Sequence, residues 1–227
     1  MRCPGGSLPC DEGKGVRFRT GVPILHPMNR RTAIFAPLVL LALGTPAFAG
    51  KIALADLSRY LNAMTTAEAE FTQVNADGTI ATGRLIIRRP GRVRFEYAPP
   101  DGTLVLASNG QVAVFDAKSN QPPEQYPLKR TPLNLILAKD VDLGRAKMVV
   151  GHKADGNTTR VRAQDPEHPE YGSIDLIFTD GPVALRQWII NDDAGNATTV
   201  ILGEMKTGGS FPGSLFNIAS EAQKRDR

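Results

Sequence analysis

The chain has 227 residues, with 27 Lys and Arg against 23 Asp and Glu, and two cysteines. Residues 1–49 hold six of the basic and two of the acidic side chains, which leaves 21 of each from Gly50 onward. A neutral chain of that length suits one domain with a sizeable core, and it gives no electrostatic case for binding nucleic acid or an anionic membrane.

Residues 1–27 are rich in Gly and Pro and lack hydrophobic periodicity. They read as an N-terminal extension produced by a start assigned too early, with Met28 the true first residue. Cys3 and Cys10 both lie there, and a Cys-x6-Cys pair with no nearby His is a weak metal signal. Residues 28–49 read as a signal peptide. Arg30 and Arg31 form a basic start, Ala33 to Leu43 an apolar core, and Ala47-Phe48-Ala49 a small-x-small ending. That run is too short and wrongly flanked to span a membrane. The expected mature product begins at Gly50, as a single domain over 50–227. With Gly50 rather than Cys after the cleavage site, no lipid anchor is expected.

Ile52 to Met64 has apolar residues near helical spacing, with Leu57 and Leu61 on one stripe. Strands are then expected over Glu68–Val74, Thr79–Arg88, Arg92–Tyr97, Thr103–Ala107 and Val112–Asp116. Asp77-Gly78 and Asn109-Gly110 supply hairpin turns. Ser119 to Gln125 reads as a polar loop. Pro132 to Lys139 reads as a short apolar helix with Pro in its first turn. Further strands are expected over Ala146–Lys153, Thr158–Gln164, Ser173–Thr179, Ala184–Asn191 and Thr198–Lys206, and Phe211 to Ile218 reads as an irregular tail.

About ten strands joined by short turns, with two short helices, predict a mainly β (α+β) domain with antiparallel meander pairing. A strongly curved antiparallel sheet forming an incomplete barrel needs a cover over its apolar face, and the two helices are the candidates. A closed barrel or a sandwich fits the same strand count.

The segment Gly83 to Pro100 is the most informative. Arg92, Arg94 and Glu96 alternate with Val93, Phe95 and Tyr97, so the first set faces water and the second an apolar interior. Leu85 and Ile87 share a parity with Arg89. If Leu85 and Ile87 face inward, Arg89 ends an apolar face, where a cation is costly unless it is hydrogen-bonded. Arg84, Arg88, Arg92 and Arg94 read as a solvated face.

Catalytic chemistry is hard to assemble. From Gly50 onward the only histidines are His152 and His168, and no HExxH, CxxC or GxSxG occurs. Asp140, Asp142, Asp192 and Asp193 sit at expected turns, where Asp favours local backbone bonds. The expectation is a binding protein rather than an enzyme, with no cofactor and no metal.

The order and spacing of Phe71 and Gln73, then Gly83, Leu85, Arg89, Pro90, Arg94, Tyr97 and Pro100, then Ser108 and Gly110, resemble the LolA family of periplasmic lipoprotein carriers. Thr131-Pro132-Leu133 with Leu135 and Leu137 resembles that family's later segment. The resemblance covers residues 51 to 217. It implies binding of the acyl chains of triacylated lipoproteins in the periplasm. It further implies receipt from an inner-membrane lipoprotein-releasing ABC transporter and delivery to an outer-membrane acceptor; a monomer is expected, and the neutral charge and strand parity predict no nucleic-acid partner. The acyl site it implies, taken with the strand parities, is lined by Leu57, Leu61, Phe71, Leu85, Ile87, Val93, Phe95, Leu135 and Trp188. Arg89 takes the family's role of latching a helical lid, with partners expected around Pro132 to Asp142. An outer-membrane receptor or a periplasmic sensor on the same fold, or a lipid-processing enzyme, are the alternatives. The receptor is expected to carry a lipobox Cys and the sensor a further C-terminal domain.

Overall fold

The computed structural model describes residues 50–119, 121–131 and 133–225. The expected extension, signal peptide and cysteines at 1–49, and Pro132, lie outside the described residues.

Helix α1 (Leu54–Ala63) leads into six strands: β1 (Thr66–Val74), β2 (Ile80–Arg88), β3 (Arg92–Tyr97), β4 (Leu104–Ser108), β5 (Gln111–Phe115) and β6 (Glu124–Pro127). A 3-10 turn at Leu128–Arg130 and helix α2 (Leu133–Leu137) follow. A second run comprises β7 (Val149–Asp155), β8 (Thr158–Gln164), β9 (Ser173–Thr179), β10 (Ala184–Asn191), β11 (Ala197–Leu202) and the short β12 (Lys206–Thr207). A 3-10 turn at Gly213–Phe216 and helix α3 (Ile218–Arg225) complete the described chain.

All pairings are antiparallel, in the order β6-β5-β4-β3-β2-β1-β11-β10-β9-β8-β7, with β12 extending the pairing of β1. The chain starts in the middle and meanders out to β6. It then crosses to the opposite edge at β7 and meanders back. The crossover, residues 128–148, carries α2. Strands β6 and β7 are the two ends of the sheet and do not pair with each other, so the barrel is incomplete.

The curvature follows from one contact. Phe95 on β3 and Trp188 on β10 stand four strand spacings apart along the sheet, about 19 Å if it were flat. Their ring centroids lie 6.0 Å apart, edge to face. Only a sheet rolled towards its concave side brings them together. Gly83 helps to fix the register there. It pairs with Phe71 across the strands, and a Cβ at Gly83 would meet the Phe71 ring at 2.7 Å and also the Glu96 carbonyl oxygen.

The concave side holds the main core, built from α1, α2 and the inward residues of the sheet. A second, smaller core lies on the convex side. Leu104, Leu106, Ala113 and Phe115, the outward residues of β4 and β5, are covered by Ile218 and Ala222 of α3.

The sequence reading therefore needs correction on this side. The tail expected to be irregular contains α3, and β6 and β12 occupy stretches read as loop or as the end of another strand. Arg94 is not solvated. It is 8% exposed and donates to Glu96 Oε1 at 2.6 Å and to the Leu215 carbonyl at 2.9 Å, with Glu221 at 3.5 Å. Arg88 donates to the Phe211 carbonyl at 2.8 Å. These two arginines fasten the C-terminal tail over the convex face. Arg84 is exposed as expected and pairs with Glu68 at 2.6 Å.

Candidate functional site

Leu57, Leu61, Phe71, Leu85, Ile87, Val93, Phe95, Leu135 and Trp188 are all buried and belong to one continuous apolar cluster. Strand parity places six of them. Phe71, Leu85, Ile87, Val93 and Phe95 come from β1 to β3, and Trp188 comes from β10. Leu57 and Leu61 form one stripe of α1, and Leu135 comes from α2. The rings interlock edge to face, Phe71 with Phe95 at 5.6 Å and with Tyr97 at 5.0 Å. Such aromatic pairs add about 1 kcal/mol each beyond the area they bury.

The cluster is wider than the sequence reading. Val161 of β8, Leu176 and Phe178 of β9, and Val200 of β11 also face it, as do Ile136 and Leu137 of α2. Alternation within Ile174-Asp175-Leu176-Ile177-Phe178 carries that signal, but the mixed apolar residues on both parities obscure which set points inward.

Arg89 follows β2 directly, at the rim of this cluster. Its Nε and Nη2 both donate to the Ala138 carbonyl, at 3.1 and 2.6 Å. Nη2 also reaches the Lys139 carbonyl at 3.2 Å and Asn62 Oδ1 at 3.2 Å. Nη1 donates to the Leu61 carbonyl and lies 3.5 Å from that of Met64. These carbonyls are the orphaned acceptors at the C-terminal ends of α1 and α2, where the helix dipole also favours a cation. One guanidinium thus ties three pieces of chain together. Ala138 and Lys139 lie in the segment where partners were expected; the α1 carbonyls were not anticipated. Burial pushes the Arg89 guanidinium down from its ordinary value, and the charge of Asp140 opposes that shift.

Two polar residues of α1 reinforce the same seam. Asn62 donates to the Val141 carbonyl at 2.8 Å and accepts from the Val141 amide at 2.9 Å. The Ser58 hydroxyl accepts from the Leu143 amide at 3.0 Å while donating to Leu54 O at 2.7 Å. The sequence reading did not single out either residue, although they interrupt the apolar character of α1 four residues apart on one face. The backbone adds a further tie, from the Gly91 amide to the Leu137 carbonyl at 2.9 Å.

At the opposite end of these strands, Tyr97 donates to Gln73 Oε1 at 2.7 Å, and Gln73 donates on to Asn75 Oδ1 at 2.7 Å. Burial and the nearby Asp101 push the Tyr97 phenol up to about 12, the Gln73 bond offsetting only part of this. The phenol is a fixed donor at neutral pH.

The remaining polar candidates do not converge. His152 Nε2 sits 2.8 Å from the Ile52 carbonyl, and His168 pairs with Glu170 at 2.9 Å in a surface loop. Asp142 and Asp192 accept from the backbone amides of their own turns. Among the described residues, no group of three or more His, Cys, Asp and Glu is placed to hold a metal ion.

Residues 62–219 match the family model described as "Outer membrane lipoprotein carrier protein LolA". An outer-membrane lipoprotein carrier protein of Chromobacterium violaceum is 25% identical over 202 residues, covering 86% of this chain and 93% of its own. One from Pseudomonas paraeruginosa is 26% identical over 171 residues, covering 71% of this chain and 81% of its own. A solved LolA superfamily protein of Nitrosomonas europaea overlaps with a TM-score of 0.40 at 8% identity, over 73% of this chain and 98% of that one. The family model spans well over half of the chain, which belongs to the LolA family of outer membrane lipoprotein carrier proteins.

Proposed function

We propose that this protein is a periplasmic carrier that shields the acyl chains of lipoproteins on their way from the inner to the outer membrane. The observation that carries the reading is a wholly apolar concave cluster beside two helices whose C-terminal carbonyls are bonded by Arg89. Family membership supports the lipoprotein as cargo.

Moving an acyl chain through water is costly, at about 0.8 kcal/mol for each exposed CH₂, or on the order of 10 kcal/mol for a chain of some fifteen carbons. A groove lined by Leu85, Ile87, Val93, Phe95 and Trp188 offsets that cost without chemistry. The groove must also release. The nine proposed lining residues are packed together in this state, so chains enter only if α1 and α2 move off the sheet. Arg89 sets the cost of that movement, because its bonds are to both helix ends and all must be given up together. Cargo binding supplies the opening energy, and reclosure of the latch helps to expel cargo at the acceptor.

In this scheme an inner-membrane ABC transporter loads the carrier and an outer-membrane acceptor unloads it. The carrier works as a monomer from Gly50, after removal of residues 28–49. Purifying the exported protein and analysing it by mass spectrometry tests the reading. Co-purified triacylated lipoprotein and a mature start at Gly50 are expected. Retention in the membrane fraction, or a preparation that never carries lipoprotein after overexpression of both, contradicts it.

A further inference from the structure

A cleft of about 750 Å³ opens on the convex side, away from the concave cluster. Its floor is the outward face of β3 to β6, with Arg92, Ser108, Gln111 and Gln125. One wall is the tail from Gly213 through Ala222, with Phe216, Ile218 and Ala222; the other is Pro122-Pro123. Asn109 and Arg88 also line it.

The charges here are one-sided. Arg88 and Arg92 are the only ionisable side chains among the described residues that line the cleft. Arg88 spends one nitrogen, Nη1, on the Phe211 carbonyl. Arg92 makes no side-chain hydrogen bond or ion pair among the described residues, whereas its neighbours Arg84 and Arg94 both have carboxylate partners. Glu124 and Glu221 flank lining residues in the chain without lining the cleft themselves, and Glu96 and Glu221 are already engaged, Glu96 with Arg94 at 2.6 Å and Glu221 with Lys224 at 2.7 Å and Arg94. A planar guanidinium with free donors favours a carboxylate or phosphate oxygen.

The rest of the lining decides between these anions. Asn109, Gln111, Gln125 and Asn217 present both amide donors and acceptors, which match the groups of a peptide backbone. Ile218, Ala219 and Ala222 offer apolar surface for one aliphatic side chain, with the buried Phe216 behind them. A bare phosphate group uses neither feature and fills a small part of the volume. A membrane surface would need general positive charge, and the chain from Gly50 onward is neutral.

We propose that this convex cleft docks a short, extended, acidic peptide segment of a partner protein, with a carboxylate on Arg92 and an aliphatic side chain against Ile218 and Ala219. The site is separate from the concave cluster, so binding here leaves the acyl groove free, and its test needs no lipid.

Phage display of random heptapeptides on the cargo-free protein is the direct probe. Enriched sequences are expected to combine Asp or Glu with an aliphatic residue, and a synthetic peptide of the enriched sequence should bind at least tenfold more weakly to Arg92→Glu, while Arg92→Lys retains most binding. Arg92 has no side-chain partner to lose among the described residues, and matched melting curves verify that the variants are folded. A second variant, Gln125→Ala, should weaken the same peptide several-fold. No enrichment, enrichment of peptides lacking acids, or equal binding by Arg92→Glu overturns the proposal. So does binding of phosphatidylglycerol vesicles that depends on Arg92 when the acidic peptide does not bind.

Discussion

Arg89 and Ala138 are joined twice, through Nε at 3.1 Å and Nη2 at 2.6 Å onto a single carbonyl oxygen. The link runs from the end of β2 to the end of α2, across the seam where the concave cluster would have to open. A planar fork is required to place two donors on one acceptor while the remaining nitrogen reaches α1.

Replacing Arg89 with Leu should free the cover. A hydrogen bond to a charged donor contributes roughly 1.5–3 kcal/mol, and a bias of about 1.4 kcal/mol towards the closed state lowers apparent cargo affinity about tenfold. Arg89→Leu should therefore accept lipoprotein from spheroplasts as well as the parent or better, and transfer it poorly to outer membranes. Arg89→Lys keeps the charge without the fork and should fall between. Equal loss of both steps in folded Arg89→Leu would assign Arg89 to docking or stability instead.

A carboxylate on the concave face should block cargo. Phe95 touches both Phe71 and Trp188, and Val93 pairs across the strands with Ile87. Phe95→Glu or Val93→Glu buries an unpaired acid at a cost of several kcal/mol, so circular dichroism must accompany the assay. Folded variants are expected to lose lipoprotein release from spheroplasts. Unchanged release would mean that this face is core alone.

Gly83→Ala should destabilise the domain although it adds one methyl group. The new Cβ meets the Phe71 ring at 2.7 Å and the Glu96 carbonyl, and overpacking of this kind costs about 1–3 kcal/mol. Chemical denaturation should show a lower midpoint with an unchanged slope. A midpoint equal to that of the parent would show that the sheet relaxes freely at this point.

Acid should weaken the far side of the barrel through Asp175, on the outward face of β9. Burial raises this carboxyl, but the Arg162 hydrogen bonds and the charges of Arg162 and Arg160 outweigh it and hold the group below its ordinary value. Its distances to Arg162 are 2.8 and 2.7 Å. A depressed carboxyl contributes stability that is fully present above its unfolded value, about 3.9, and is lost as pH falls through the folded value. Asp175→Asn should lower stability at pH 7 by about 1–2 kcal/mol, since Arg162 and Arg160 keep access to water, and flatten the loss below pH 4. A parent and variant with parallel acid profiles would refute this assignment.

The parts of this architecture that were legible in the sequence share one property: a single buried face. Val93, Phe95 and Tyr97 alternate cleanly with charged residues, and Arg89 stood out because it broke that pattern. Asp77-Gly78 and Asn109-Gly110 marked their turns by residue type. The convex core was harder to read. Leu104-Val105-Leu106-Ala107 and Val112-Ala113-Val114-Phe115 are apolar on both parities, which signals strands covered on both sides, and α3 is that second cover. Arg88 and Arg94 looked solvated because what fixes them to the tail lies more than a hundred residues away, the carbonyls of Phe211 and Leu215 and, for Arg94, the Glu221 carboxylate. Backbone acceptors leave no trace in residue identity. For the same reason Asn62 and Ser58 were silent, since both bind the main chain of the crossover.

Trp188 offers the most direct measurement. It is the only tryptophan in the chain, it is 2% exposed, and it sits against Phe95 in the concave cluster. A triacylated lipopeptide with brominated acyl chains quenches indole fluorescence only on close contact. Saturable quenching of Trp188 on titration, absent with an unbrominated lipopeptide and abolished in folded Phe95→Glu, is the predicted result. Binding of the brominated lipopeptide with Trp188 emission unchanged would place the acyl chains elsewhere and contradict the account.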